Sequence, residues 1–235
     1  MISKRFFVFV SLFSICCCLA FSSKKVIQID ISKLLNARPV TTFTEGKLIT
    51  WTKGIDGNGS ADGYLTTSAA EFNGEKGANA LSDNPIFLAT KQHPEIKLYY
   101  NNSDSVSKQA MYISGEGEFT IKIPKQYYSE IYLGLSSAEG SSDLRCHLRY
   151  ANSEEIKNYT LTDYYNNVAT TDTVFSCVVT DLAKWGSKNN MTEKDHHNIH
   201  LLKIKCNPLK KLEKITVKKS KKGYLLLWSA TGVTR

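Results

Sequence analysis

Beyond its first 22 residues the sequence has no apolar run of membrane length, so nothing there reads as a membrane-spanning helix. Proline is sparse, five in 235 residues, and neither proline nor glycine gathers into a linker long enough to separate two domains. No internal repeat or low-complexity tract is present, which excludes solenoids and disordered arrays. Apolar spacing of helical period does not persist beyond a turn or two, which excludes a helical bundle. G-x-S-x-G, H-E-x-x-H and phosphate-cradling glycine loops are all missing, which removes the commonest hydrolase, metalloprotease and nucleotide signatures. Cysteine is short too. Three of the six are the run Cys16-Cys17-Cys18, leaving Cys146, Cys177 and Cys206, one to each predicted strand. An odd, widely spaced set permits one bridge at most, and it favours neither a zinc site nor a disulfide scaffold. A chain of this size needs no such staple.

Met1 to Ser23 opens with Lys4 and Arg5 and continues with an apolar run from Phe6 to Phe21, the layout of a secretory signal peptide. Cleavage after Ala20 or Ser22 satisfies the small-residue rule. The cysteine triplet raises a lipoprotein reading, but Ile15 precedes it where lipidation wants a small residue. The expected organisation is therefore a signal peptide over residues 1–22 and one domain over 23–235, secreted, periplasmic or held at the cell surface. Without the leader Lys and Arg fall from 30 to 28 against 22 acids, a net charge of +6. Many of the cations crowd the end of the chain: Lys210, Lys211, Lys214, Lys218, Lys219, Lys221 and Lys222. They suit either an anionic polysaccharide or membrane surface, or a hairpin edge strand blunted by lysine. Few arginines and no reader motif argue against nucleic acid.

What the sequence does hold is strands. FTIKIP, IYLGLSS, LRCHLRY, EIKNYTL, FSCVVT, HLLKIKC, KITVKK and GYLLLWSATG follow one another from Phe119 to Gly232 at a spacing of roughly 8–12 residues. Upstream, VIQIDI, TTF and KLITW (joined at Glu45-Gly46), and short runs at 86–89, 96–100 and 110–113 add further strands. Residues 53–84 are the least patterned stretch, and Asp181–Ser187 reads as a short helix closed by Gly186. The fold class expected is all-β, a jelly-roll β-sandwich.

The run IPKQYYSEIYLGLSSAEGSSDLRCHLRYANSEEIKNYTL, together with HNIHLLKIKCNPLKKLEKITV and the closing GYLLLWSATG, resembles galactose-binding-like β-sandwich domains of secreted carbohydrate-active proteins. The likeness covers residues 119–232, about half the chain, and rests on strand and turn patterns that any jelly roll shares. It implies that fold and a habit of binding sugars; fold alone does not establish function.

Candidate sites follow from chemistry. Asp56, Asn58, Ser60 and Asp62 set oxygen ligands at alternate positions of a glycine-rich loop, a candidate calcium set. The match to the helix–loop–helix consensus fails at Ala61 and Thr67, and a plain polar turn accounts for the same composition. In Asp195-His196-His197-Asn198-Ile199-His200, strand alternation puts His196, Asn198 and His200 on one face and His197 on the other. His196 and His200 then stand roughly 13 Å apart, too far for one ion. For a sugar, whose C–H face stacks on aromatic rings, the expected contacts are Tyr164, Tyr165, Trp185, Asp195 and His197, with an exposed Trp185 as the platform. Trp228, in an apolar strand, is expected in the core. Sequons occur at Asn58, Asn101, Asn158 and Asn190. The functions left standing are non-catalytic glycan binding, a hydrolase acting on glycans or their esters, and a structural or adhesion protein with no small ligand.

Overall fold

The computed structural model describes residues 24–57, 62–100 and 102–235. The expected signal peptide, Asn58, Ser60 and Asn101 lie outside these residues. Among the described residues the chain is nearly all β, with one six-residue helix, Thr67–Phe72 (α1), and one 3-10 turn, Ser32–Leu34. No described helix is long and apolar enough to cross a membrane.

Two antiparallel sheets are joined by one strand, β8 (Gly117–Ala138), 22 residues long. Its first half pairs with β13 (Lys211–Lys219), which pairs on its other side with β9 (Ser142–Tyr150), and β9 with β10 (Ser153–Leu161). Its second half lies between β12 (Met191–Lys205) and β14 (Tyr224–Thr234). Beyond β12 is β11 (Phe175–Trp185), and beyond β14 are β1 (Val26–Gln28) and β7 (Met111–Ser114). The sequence suggests two strands, FTIKIP and IYLGLSS, where the structure has one. Pro124 lies where the β8–β13 register slips, between Lys122 and Gln126, and there a missing ladder donor is tolerated.

The sheet of β11, β12, the second half of β8, β14, β1 and β7 (the first sheet; β13, β9, β10 and the first half of β8 form the second) is buried on both faces, which explains its unbroken apolar strands. Along β8 and β14, Ile131, Leu133, Leu135, Leu225 and Leu227 face the second sheet and meet Ile121, Leu144, Leu148, Ile215 and Val217. The alternate residues Tyr132, Leu226 and Trp228 face the other way, onto Val40, Tyr64, Leu98 and Tyr100. Trp228 is core, as its strand predicts. That outer layer comes from residues 37–110, which hold β2 (Val40–Thr44), β3 (Lys47–Ile49), β4 (Tyr64–Leu65), β5 (Ile86–Phe87) and β6 (Ile96–Lys97). The β2–β3 hairpin turns at Glu45-Gly46 with φ of 51° and 77°, both positive, as a tight two-residue hairpin requires.

Three expectations change. Asp181–Ser187 is not a helix, since Asp181–Trp185 ends β11. The C-terminal hairpin does not form: β13 and β14 flank β8 from different sheets. The lysines of β13 therefore blunt no edge, because β13 is an interior strand. Lys219 is buried, and its Nζ donates to the carbonyls of Gly115 (2.8 Å) and Lys222 (2.9 Å), tying the β13–β14 turn to the residue before Glu116. Cys146, Cys177 and Cys206 are all unbridged, and burial pushes the Cys146 and Cys206 thiols up to about 12.

One close approach gives a stability prediction. Gly232 of β14 lies against the buried ring of Tyr128, whose hydroxyl donates to Pro124 O at 2.9 Å, and a Cβ at 232 would run into that ring. Gly232→Ala is expected to cost about 1–3 kcal/mol as overpacking, measured by urea unfolding.

Candidate functional site

The β11–β12 pair is irregular, and its irregularity builds the site. Asp181 (φ 57°) and His196 (φ 75°) both take left-handed backbone, and the register slips repeatedly between Cys177 and Trp185. Non-glycine residues held in that region mark local strain and commonly attend functional sites. The kink at His196 breaks the alternation, so His196 points to solvent while His197, Asn198 and His200 are all buried. Beyond the kink alternation resumes as expected: His197 shares the outer-layer face with Leu182 and Tyr64, while His200 stands beside Leu135 on the other face.

Lys184 stands directly across from Glu193 in this pair. Its side chain is 6% exposed, and its Nζ lies 2.7 Å from Glu193 Oε1, 3.0 Å from Asp56 Oδ2 and 3.6 Å from Asp62 Oδ2. Asp56 and Asp62 are delivered by the loop of the outer layer, which is fastened to β11 by mutual Gly63–Trp185 backbone bonds of 2.8 and 2.9 Å. The next residues come from the loop after β10. Tyr164 Oη donates to Asp56 Oδ2 (3.0 Å) and Tyr165 Oη to Glu193 Oε2 (2.6 Å). The two rings stack at 4.7 Å, and His197 stacks on Tyr164 at 4.9 Å. The loop is held by Tyr164 N donating to Ser137 O (2.7 Å), by Asn198 Nδ2 donating to Tyr164 O (2.9 Å), and by Asp163 accepting from Gly140 N (2.6 Å).

The protonation states follow from these contacts. Burial works against the Lys184 ammonium, but the bonds to Glu193 and Asp56 outweigh it and raise its pKa. Burial likewise opposes the Glu193 carboxylate, yet hydrogen bonds from Lys184 and Tyr165 hold it below the usual range. Burial, with Asp56 beside it, keeps the Tyr164 phenol protonated as a donor. His197 is pushed down by burial, so its ring is neutral at neutral pH. Its Nδ1 lies 2.7 Å from Leu182 O, a carbonyl that only accepts, so Nδ1 carries the proton and Nε2 carries the lone pair. Among the described residues that Nε2 has no hydrogen-bond partner, and neither does the buried Tyr64 hydroxyl, whose ring is 6.5 Å from His197. Three carboxylates face the one Lys184 ammonium, with the hydroxyls of Tyr164, Tyr165 and Thr192 as further donors. Asp62 and Glu193 are 28% and 37% exposed, beside a 42% exposed Tyr165.

Three of the five expected contacts, Tyr164, Tyr165 and His197, come together here. Only Tyr165 is exposed; Tyr164 and His197 are the packed layer behind it. Asp195 does not join them and pairs with His196 at 3.0 Å on the surface. Trp185 is the main correction. It is fully buried, on the opposite face of β11 from Lys184, and packs with Trp51, Leu65, Ala69 and Ala70. Read as a helix, DLAKW placed it in solvent; as a strand, it alternates Trp185 and Ala183 into the core. The candidate calcium loop is also read differently, since Asp56 and Asp62 both turn onto Lys184, an ammonium already occupying the position between them. Lys184, Glu193 and Tyr64 were missed. A strand reading of LAKW would have put Lys184 on the same face as Leu182, where a charge needs partners. Compared with known proteins, the chain matches no family model and no curated sequence.

Proposed function

We propose that the chain is an exported, non-catalytic carbohydrate-binding protein of jelly-roll form, and that the Lys184 cluster is where the glycan sits. The observation that carries this reading is the pair of partly exposed carboxylates, Asp62 and Glu193, beside the exposed Tyr165 ring. Each carboxylate oxygen can accept more than one bond, so sugar hydroxyls can donate to them, and an aromatic ring supplies the apolar contact that a pyranose face needs. Burying the Lys184–Asp56 ion pair is seldom the cheapest way to stabilise a fold, because well-packed apolar residues often do as well. A cluster held by left-handed residues on both strands is more readily understood as a site than as a staple. The galactose-binding-like resemblance and the signal-peptide pattern agree with it, and a cell-surface glycan is the natural partner.

A glycan array probed with the folded chain tests this. Retention of a defined glycan without turnover is expected. Tyr165→Ala then weakens binding several-fold, since ring stacking contributes about 1 kcal/mol. Glu193→Gln weakens it about tenfold by removing a charged acceptor. Turnover of chromogenic glycosides or acetyl esters would move the assignment to a hydrolase, and silence in both assays to a structural or adhesion protein.

A further inference from the structure

The second sheet has an outer face that the Lys184 cluster does not explain. Because β13 is interior, its lysines line up with the arginines of β9 and a lysine of β8. Lys214 stands opposite Lys122 on one side and Arg149 on the other, and Lys218 stands opposite Arg145. Adjacent strands lie about 4.8 Å apart, so these are rows of like charge held at close range. Like charges directly across a sheet are destabilising. Glu118 and Glu154 occupy neighbouring positions, opposite Lys218 and Arg149, yet among the described residues no ion pair joins any of the five cations to a carboxylate. Glu213, bonded to Lys125, also feels the charge of Arg149. Between the cationic rows runs a neutral one: Thr120, Thr216, His147 and the 46% exposed Ile156. At the Arg145–Lys218 row the face sinks into a depression of about 500 Å3, bordered by Asn158, Thr160 and Ser220, whose acid, Asp143, is neutralised by Lys221 at 3.0 Å.

We propose that this face binds an anionic polysaccharide, a glycan chain carrying carboxylate or sulfate groups along its length. Unneutralised cations repeated in rows suit a partner whose own charges repeat, and the neutral row accommodates the ring bodies between those charges. The amide and hydroxyls of Asn158, Thr160 and Ser220 add hydrogen bonds suited to a polyol. A membrane surface is a poorer match, since the face offers Ile156 but no Trp, Phe or Leu to enter the lipid boundary. Tyr159 borders the depression but is packed against the core and edge-on to Phe175, so among the described residues a single-stranded nucleic acid finds no exposed aromatic platform between the cations for its bases. The face lies on a different sheet from the Lys184 cluster, and the two assignments stand or fall separately.

The test uses the folded chain, with polygalacturonate as the carboxylate probe and heparin as the sulfate probe. Phosphatidylserine-containing vesicles and single-stranded DNA serve as the competing polyanions. Binding to at least one polysaccharide is expected, weakening as salt rises. The variant with Lys214, Lys218, Arg145 and Arg149 all changed to Gln should bind about tenfold more weakly or worse. Four exposed lysines elsewhere, Lys24, Lys33, Lys91 and Lys108, changed to Gln remove the same charge and should leave affinity within about twofold if the face is specific. Equal loss in the two variants, no binding to either polysaccharide, or tighter binding to vesicles or DNA overturns the proposal. The face variant should also melt no lower than the parent at low salt, because it relieves like-charge repulsion. A lower melting point would mean that the cations serve the fold and would overturn the proposal as well. Tyr165→Ala, which disables the other site, should leave polyanion binding unchanged.

Discussion

Trp185→Ala should cost about 3–5 kcal/mol of stability, the range for removing a fully buried aromatic side chain. For a chain of this size that corresponds to a fall on the order of 10 °C in Tm. The reason is its place in the fold. Trp185 fills the smallest of the three cores, between Trp51, Leu65 and the two alanines of α1, and its backbone carries the paired bonds to Gly63. Losing the ring opens a cavity under the loop that brings Asp62 to Lys184. Secondary damage to the site follows from that loosening, so in a variant still folded at low temperature the loss of glycan affinity should be smaller than that of Tyr165→Ala. Differential scanning calorimetry and binding on the same sample separate the two. An unchanged Tm with abolished binding would make Trp185 an exposed platform and would contradict the packing described here.

The misplacement of Trp185 shows where sequence reading runs out. Strand cadence after Phe119 was legible because alternation and turn residues are local signals, and they survive the fact that the first sheet is covered on both faces. The Glu45-Gly46 hairpin was legible for the same reason: a glycine free to take positive φ between two apolar runs marks the turn. Sheet partnership was not. KITVKK and GYLLLWSATG sit next to each other in sequence with a lysine-rich turn between, which is the pattern of a hairpin. Nothing local reports that β8 runs between them and serves both sheets. The same gap hid the site. Tyr164, Tyr165 and His197 could be picked out as candidate polar aromatics, but Lys184 was masked by a helical reading of DLAKW. Asp56 and Asp62 were read as ligands for a metal when their partner is an ammonium more than 120 residues away, at Lys184. The bulge at His196 depends on a left-handed residue that no glycine or asparagine announces. The outer face of the second sheet was half visible: the lysine cluster was plain, but its meaning depended on whether β13 was an edge or an interior strand.

Lys184→Met should cost about 3 kcal/mol at neutral pH, the lower end of the range for removing one partner of a buried ion pair. The lower end applies because Glu193 and Asp62 keep some access to water while Asp56 is nearly enclosed, its side chain 12% exposed. Methionine preserves most of the volume, so the loss reports charge more than packing. The pH dependence identifies it. In the parent chain Glu193 is held below its normal range, so the stability this gives is present above the unfolded carboxyl value of about 4.3 and is lost as pH falls through the lower folded value. Lys184, with its pKa raised, stays charged throughout that window, and its contribution fades only as pH rises beyond the unfolded lysine value of about 10.4. Removing the ammonium takes away the leading cause of Glu193's depressed value and leaves burial, which favours the protonated acid. The variant should therefore gain stability relative to the parent on acidification from about pH 7 to 4, and the gap between them should close. Urea unfolding at several pH values measures this directly. A gap that stays constant with pH would mean that the cost lies in packing. Adding Glu193→Gln to Lys184→Met should recover part of the loss, since one of the stranded carboxylates is gone, and the size of that recovery measures the coupling across the β11–β12 pair.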